Sequence, residues 1–207
     1  MLFRSEAPPP QVPLAELLRR FPRETLGGTF AAVACFAVFY LSTAFALGYG
    51  VTSLHYSREA FLGVQLGAIG FMAAGIIAAG YWADATTPRR VLMAGCAMVV
   101  AGGFLLAPML GSGSLWLIWG FLSLALFMMG FVYGPLGAFL PHLFPARVRY
   151  TGASMAFNVG GIIGGGLTPV LAQALAERGG LGLVGLQMSA AALVSLIALW
   201  PLKQQAD

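Results

Sequence analysis

The polar side chains inside this chain's long apolar runs can offer hydrogen bonding, and neither acid–base nor nucleophilic chemistry. Four strongly polar ones stand there, Gln65, Asn158, Gln173 and Gln187, with hydroxyls at Tyr40, Ser42, Thr43, Tyr49, Ser123, Tyr133 and Ser154. A proton relay within a membrane needs a titratable group at depth, and of the two histidines His55 falls in an outer loop and His142 at the cytoplasmic end of the fourth span. A serine nucleophile needs a base within hydrogen-bond reach. Ser154 sits in Gly152-Ala153-Ser154-Met155, and no histidine follows it. Cys35 and Cys96 lie in apolar runs without metal-ligand spacing, so they read as small hydrophobes rather than zinc or redox groups. No metal or cofactor is implied.

The elements that must position these groups follow from the charges. All 18 charged residues, 11 basic and 7 acidic, lie outside residues 25–57, 60–83, 91–146, 150–176 and 179–202. A helix crosses the hydrocarbon core with about 20 apolar residues, and a charge at its centre costs roughly 2.5 kcal/mol or more. Each stretch therefore reads as membrane-spanning. Residues 91–146 are long enough for two passes, with Gly111, Ser112, Gly113 and Ser114 as the turn. The expected fold is an all-α integral membrane protein, a six-helix bundle over residues 27–202 with spans at about 27–50, 60–82, 91–110, 115–140, 151–176 and 181–200. Residues 1–26 are expected to form a linker and 203–207 a tail. With 59% hydrophobic and 9% charged residues, there is no polar coat for a water-soluble globule.

Arg4, Arg19, Arg20, Arg23, Arg89, Arg90, Arg147, Arg149 and Lys203 fall on one side of this topology, and only Arg58 and Arg178 on the other. That bias places both termini in the cytoplasm and accounts for the net charge of +4 without a nucleic-acid partner. The proline-rich, charged opening has no apolar core of a cleavable signal, so the first span is expected to act as its own. Leu14, Leu17, Leu18 and Phe21 follow i, i+3, i+4, i+7 between Pro13 and Pro22, a short interfacial helix. It reads either as a lipid-contacting lever or as a lead-in that positions the first span.

Glycine is densest at Gly160, Gly161, Gly164, Gly165 and Gly166, with Pro169 close behind. Small residues let helices approach closely, and the proline removes an N–H, so a bend is expected near it. Tight packing and a flexible element are both open readings. The spans need partners for their polar groups, and Asn158 and Gln65 are the best cavity candidates, each with an interhelical hydrogen bond as the alternative. Tyr49, and Tyr81 or Trp82, read as interfacial aromatics.

Two loops carry more. One holds Gly80-Tyr81-Trp82-Ala83-Asp84 and then Pro88-Arg89-Arg90; the other runs Pro141-His142-Leu143-Phe144-Pro145-Ala146-Arg147-Val148-Arg149-Tyr150-Thr151-Gly152. Asp84 is the only acid in the loops of the basic side once the first span begins, where it is a latch between helices or a charged cap at the lipid surface. The first loop resembles the G-x-x-x-D motif of the major facilitator superfamily. The second, with the glycine-rich helix it opens, resembles the metabolite:proton symporter branch, which includes proline/betaine and α-ketoglutarate permeases. Ala85, Thr87 and His142 depart from the pattern, where a basic residue, a glycine and an acid are usual, which implies a weakened inner gate.

The resemblance implies the C-terminal half of such a transporter, with residues 13–21 matching the linker before it. It further implies a small polar solute, a carboxylate or zwitterion, moved with protons across the inner membrane of a bacterium, and a partner bundle, a missing N-terminal half or a second copy. It makes Tyr40, Thr43, Gln65, Tyr133 and Asn158 cavity-lining. Gly80, Asp84, Arg89, Arg90, Arg147 and Arg149 become gate residues, and Gly160, Gly161, Gly164, Gly165 and Pro169 packing residues. A membrane interaction protein and an inactive remnant remain the alternatives. An intramembrane serine protease does not fit, because the serine lacks its following glycine and a later histidine.

Overall fold

A computed structural model describes residues 13–202, with side chains from Glu16 onward; readings that rest on Arg4, Leu14, Lys203 or the tail 203–207 lie outside the described residues. After α1 (Pro13–Arg20), the first span is built from α2 (Pro22–Tyr40), a π-helical turn (Leu41–Phe45) and α3 (Ala46–Thr52). Three unbroken spans follow, α4 (Arg58–Ala85), α5 (Pro88–Leu110) and α6 (Leu115–Phe139). The fifth is again interrupted, as α7 (Arg149–Gly161), a π-helical turn (Ile162–Gly166) and α8 (Leu167–Gly179), and the sixth is α9 (Leu181–Leu199). These six are long and apolar enough to cross a membrane, and no strand occurs among the described residues. Even the shortest, at 19 residues, reaches about 28 Å.

Local chemistry sets the ends. The Ser57 hydroxyl accepts the Ala60 N–H at 3.2 Å to open α4, and Thr87 accepts the Arg90 N–H at 3.4 Å to open α5, with Pro88 as its first residue. Gly113 (φ 71°) and Gly180 (φ 74°) supply the left-handed backbone that the turns before α6 and α9 require. The helices also run past the apolar stretches. Because α4 continues to Ala85, Asp84 lies in its last turn rather than in a loop.

The bundle closes through three backbone-close glycine contacts. A methyl group at Gly75 would overlap the Phe127 carbonyl and one at Gly130 the Met72 carbonyl, so α4 and α6 meet there. Gly103 and Gly185 join α5 to α9 in the same way. A Cβ at Gly160 would stand 2.6 Å from the Thr29 carbonyl oxygen and one at Gly164 2.5 Å from that of Val33, which brings the fifth span against α2. Sequence reading singled out only the third contact. Span six is also held by hydroxyls: Ser195 donates to the Phe30 carbonyl (2.6 Å) and accepts the Ala34 N–H (3.0 Å), and Ser189 donates to the Val100 carbonyl (2.8 Å). The Gln187 amide adds a bond to the Thr168 carbonyl at 3.1 Å.

The first and fourth spans are 61% buried but the second only 22% and the fifth 28%, so the latter two form open flanks of the bundle. Cys35 and Cys96 are buried and unpaired within the main core. Tyr81 and Trp200 are widely exposed near helix ends, while Tyr49 is half-buried and stacks on Phe45. The opening helix docks on the bundle: Leu17 is fully buried, Leu18 is exposed, and Glu16 pairs with both Arg147 and, at 3.7 Å, Arg20.

Candidate functional site

The five cavity candidates come from the first, second, fourth and fifth spans, and the structure groups them in pairs around three open cavities. Tyr133 and Asn158 line a cavity of about 350 Å³ between α6 and α7, together with Tyr150, Ser154 and Phe157. Asn158 also lines a cavity of about 410 Å³ with Tyr40, Phe36 and Gly161. It therefore stands on the ridge between two tyrosines. Thr43 and Gln65 share a third cavity, about 290 Å³, walled by Leu62, Leu66, Ile69 and Leu126.

Packing explains how each is held. A Cβ at Gly165 would come 2.6 Å from the Tyr40 ring, and one at Gly161 3.1 Å from that of Phe36, so these two glycines seat the aromatic rings of α2. Phe157 meets Phe36 edge-on at 4.9 Å between centroids and Tyr133 at 6.2 Å. The result is an aromatic frame around Asn158. Phe36 and Phe157 went unnoticed in the sequence, although Phe36 and Tyr40, like Ser154 and Asn158, are spaced i, i+4 and so share a helix face.

The polar atoms are not equally available. Thr43 donates its hydroxyl to the Phe39 carbonyl of its own helix at 2.6 Å. Gln65 is buried and donates its amide to the carbonyls of Ser42 (2.9 Å) and Thr43 (2.8 Å). Those carbonyls belong to the first π-helical turn, where the Ala46 N–H reaches back to the Leu41 and Thr43 carbonyls and not to that of Ser42. Gln65 supplies part of what the widened turn leaves over, so its amide nitrogen is a structural tie. The second π-helical turn ends at Gly166, three residues before Pro169, whose missing N–H cannot return to the Gly165 carbonyl inside that turn. An interruption of the α-helix thus stands close to where a bend is expected.

On the basic end of the bundle the six gate candidates are dispersed. Gly80 faces open space, with nothing within 4 Å of a Cβ added to it. Asp84 and Arg90 are exposed. Arg89 caps the sixth span, its Nε donating to the Leu199 carbonyl (3.1 Å) and its Nη2 to that of Trp200 (2.5 Å). Arg147 pairs with Glu16, and Arg149 donates from Nε to the Phe144 carbonyl at 3.3 Å. Phe144 is fully buried beneath Gly152, where any Cβ would strike its ring. Three of the four loop arginines thus tie the sixth span, the opening helix and a loop backbone of this bundle in place, and no ion pair to Asp84 forms among the described residues.

No group of three or more potential metal ligands occurs among the described residues. What the face can do is present tyrosine hydroxyls and one exposed amide inside an aromatic frame, which is the chemistry of reversible hydrogen bonding to a polar group. A family model described as "Major Facilitator Superfamily" matches residues 2–169. The chain is 37% identical over 194 residues to the "Inner membrane metabolite transport protein YhjE" of Escherichia coli (strain K12), covering 91% of this chain and 44% of that protein. It is 29% identical over 166 residues to the "Shikimate transporter" of the same organism, covering 80% of this chain and 38% of that one. The chain thus spans less than half the length of these relatives.

Proposed function

The chain belongs to the major facilitator superfamily, and we propose that it is one six-helix bundle of a carrier for small polar metabolites in a bacterial inner membrane. The observation that carries this reading is the placement of Tyr40, Tyr133 and Asn158, from three different spans, on one open face. Asn158 lies nine residues, about 14 Å, into the fifth span of 31 residues, inward of its basic end. Transporters of this kind bind solute near the midplane between two bundles and expose it alternately to each side. The complementary bundle is an N-terminal half or a second copy of this chain. An N-terminal half would also supply the titratable group for proton coupling, which a second copy cannot, because the spans of this bundle contain no Asp, Glu, Lys, Arg or His at mid-span depth.

Asp84 fits a latch to that second bundle. A carboxylate in the last turn of a helix meets the negative end of the dipole, at a cost of some tenths of a kcal/mol, and an exposed position there suits a cation reached across an interface. The metabolite named for a relative, shikimate, is a polar carboxylate, and that class is proposed for this chain. Uptake of labelled shikimate and of betaine into proteoliposomes, with and without a candidate partner half, tests the reading. Flux that requires the partner supports it. Flux through the purified chain as a monomer contradicts the need for a second bundle, and no flux in any combination, with stable helix-mediated dimers, favours a membrane interaction protein.

A further inference from the structure

We infer that Asn158 serves as a hydrogen-bond acceptor that selects solutes carrying a donor, a hydroxyl or an ammonium group, on the side facing this bundle. The orientation of its amide carries the inference. One end of the side chain lies 2.8 Å from the Ser154 backbone carbonyl. A carbonyl can only accept, so that end must be the NH₂ group, and the amide oxygen is turned away from the helix. The same nitrogen also lies 3.4 Å from the Ser154 hydroxyl oxygen. With Nδ2 engaged on its own helix, Oδ1 is the end left for the two cavities that Asn158 borders.

The surroundings sharpen the preference. Gln65 and Thr43, the polar candidates of the third cavity, donate to backbone carbonyls and do not compete for the solute in this way. Phe36, Phe157, Tyr40 and Tyr133 line the same two cavities and place aromatic rings beside the amide. A hydroxyl or ammonium proton meets Oδ1; an ether or a quaternary ammonium group cannot. The inference rests on the carrier reading for the role of the cavity, and it adds the chemical polarity of recognition.

Binding of matched probes to the purified full chain in lipid nanodiscs, by calorimetric titration, tests it. Lactate is compared with 2-methoxypropionate, and glycine with trimethylglycine, so that each pair differs in whether a donor is free or capped. The donor-bearing member of a pair is expected to bind about tenfold more tightly. Asn158→Leu should abolish that preference and Asn158→Asp, which keeps an outward acceptor, should retain it; Asn158 is exposed, and an unchanged melting temperature shows that both variants fold. Equal binding within the pairs, a preference that survives Asn158→Leu, or no binding of any probe overturns the inference. A donor preference at residue 158 without flux in the proteoliposome assay sinks the carrier reading alone, whereas flux without that preference sinks this inference alone.

Discussion

Ser195 and Gln65 show how single polar residues are used where no water is available to satisfy them. The Ser195 hydroxyl is fully buried and enters the backbone ladder of another span, between the Phe30 carbonyl and the Ala34 N–H. Those two groups are four residues apart in α2 and can pair with each other when the hydroxyl is removed. Ser195→Ala is therefore expected to destabilise by only about 0.6 kcal/mol, the usual value of an interhelical bond in a membrane. Gln65→Leu removes two bonds to the carbonyls of a π-helical turn at once, with no replacement donor on its own span, so a larger loss of about 1–2 kcal/mol is expected. Thermal unfolding of the two variants in the same detergent checks the order, and an equal or reversed effect would refute the assignment of Gln65 as a tie.

Helix pairs meet where glycine lets two backbones touch, and the consequences belong to the element rather than the residue. Gly75→Val or Gly130→Val would drive a side chain into the backbone of the facing helix, α6 or α4, at an expected cost of about 1–3 kcal/mol or more. Gly80→Ala, in the same helix as Gly75 but facing open space, should leave the melting temperature unchanged. If Gly80→Ala nevertheless lowers transport by the complete carrier, the motif acts through the second bundle, as proposed for Asp84. The opening helix offers a separate test. Arg147→Glu sets like charges against Glu16 and should expose α1 to proteolysis, while the combined exchange Glu16→Arg with Arg147→Glu should restore protection. Protection that is unaffected by either change would show that Leu17 alone docks the helix.

Six spans return the chain to the side from which it entered, so the two ends of the described chain share one side of the bundle. The excess of arginine on that side predicts that reporter fusions at both ends are active in the cytoplasm. A fusion pair reporting opposite sides would require a different number of crossings.

Counting charges was enough to find the spans, because the cost of an ion in hydrocarbon is large and local, and it reads directly from the order of residues. The turn at Gly113 and the glycine seam of the fifth span were legible because the backbone freedom and small size of glycine are local properties too, whereas the turn at Gly180 was not read from the sequence. Hydrogen-bond partners were not. Whether Gln65 lines a cavity or braces a π-helical turn, whether Arg89 guards a gate or caps the sixth span, and which end of Asn158 faces outward all depend on atoms brought together from distant parts of the chain. Hydropathy tells a side chain which solvent to avoid, and only the packed bundle decides which neighbour it meets.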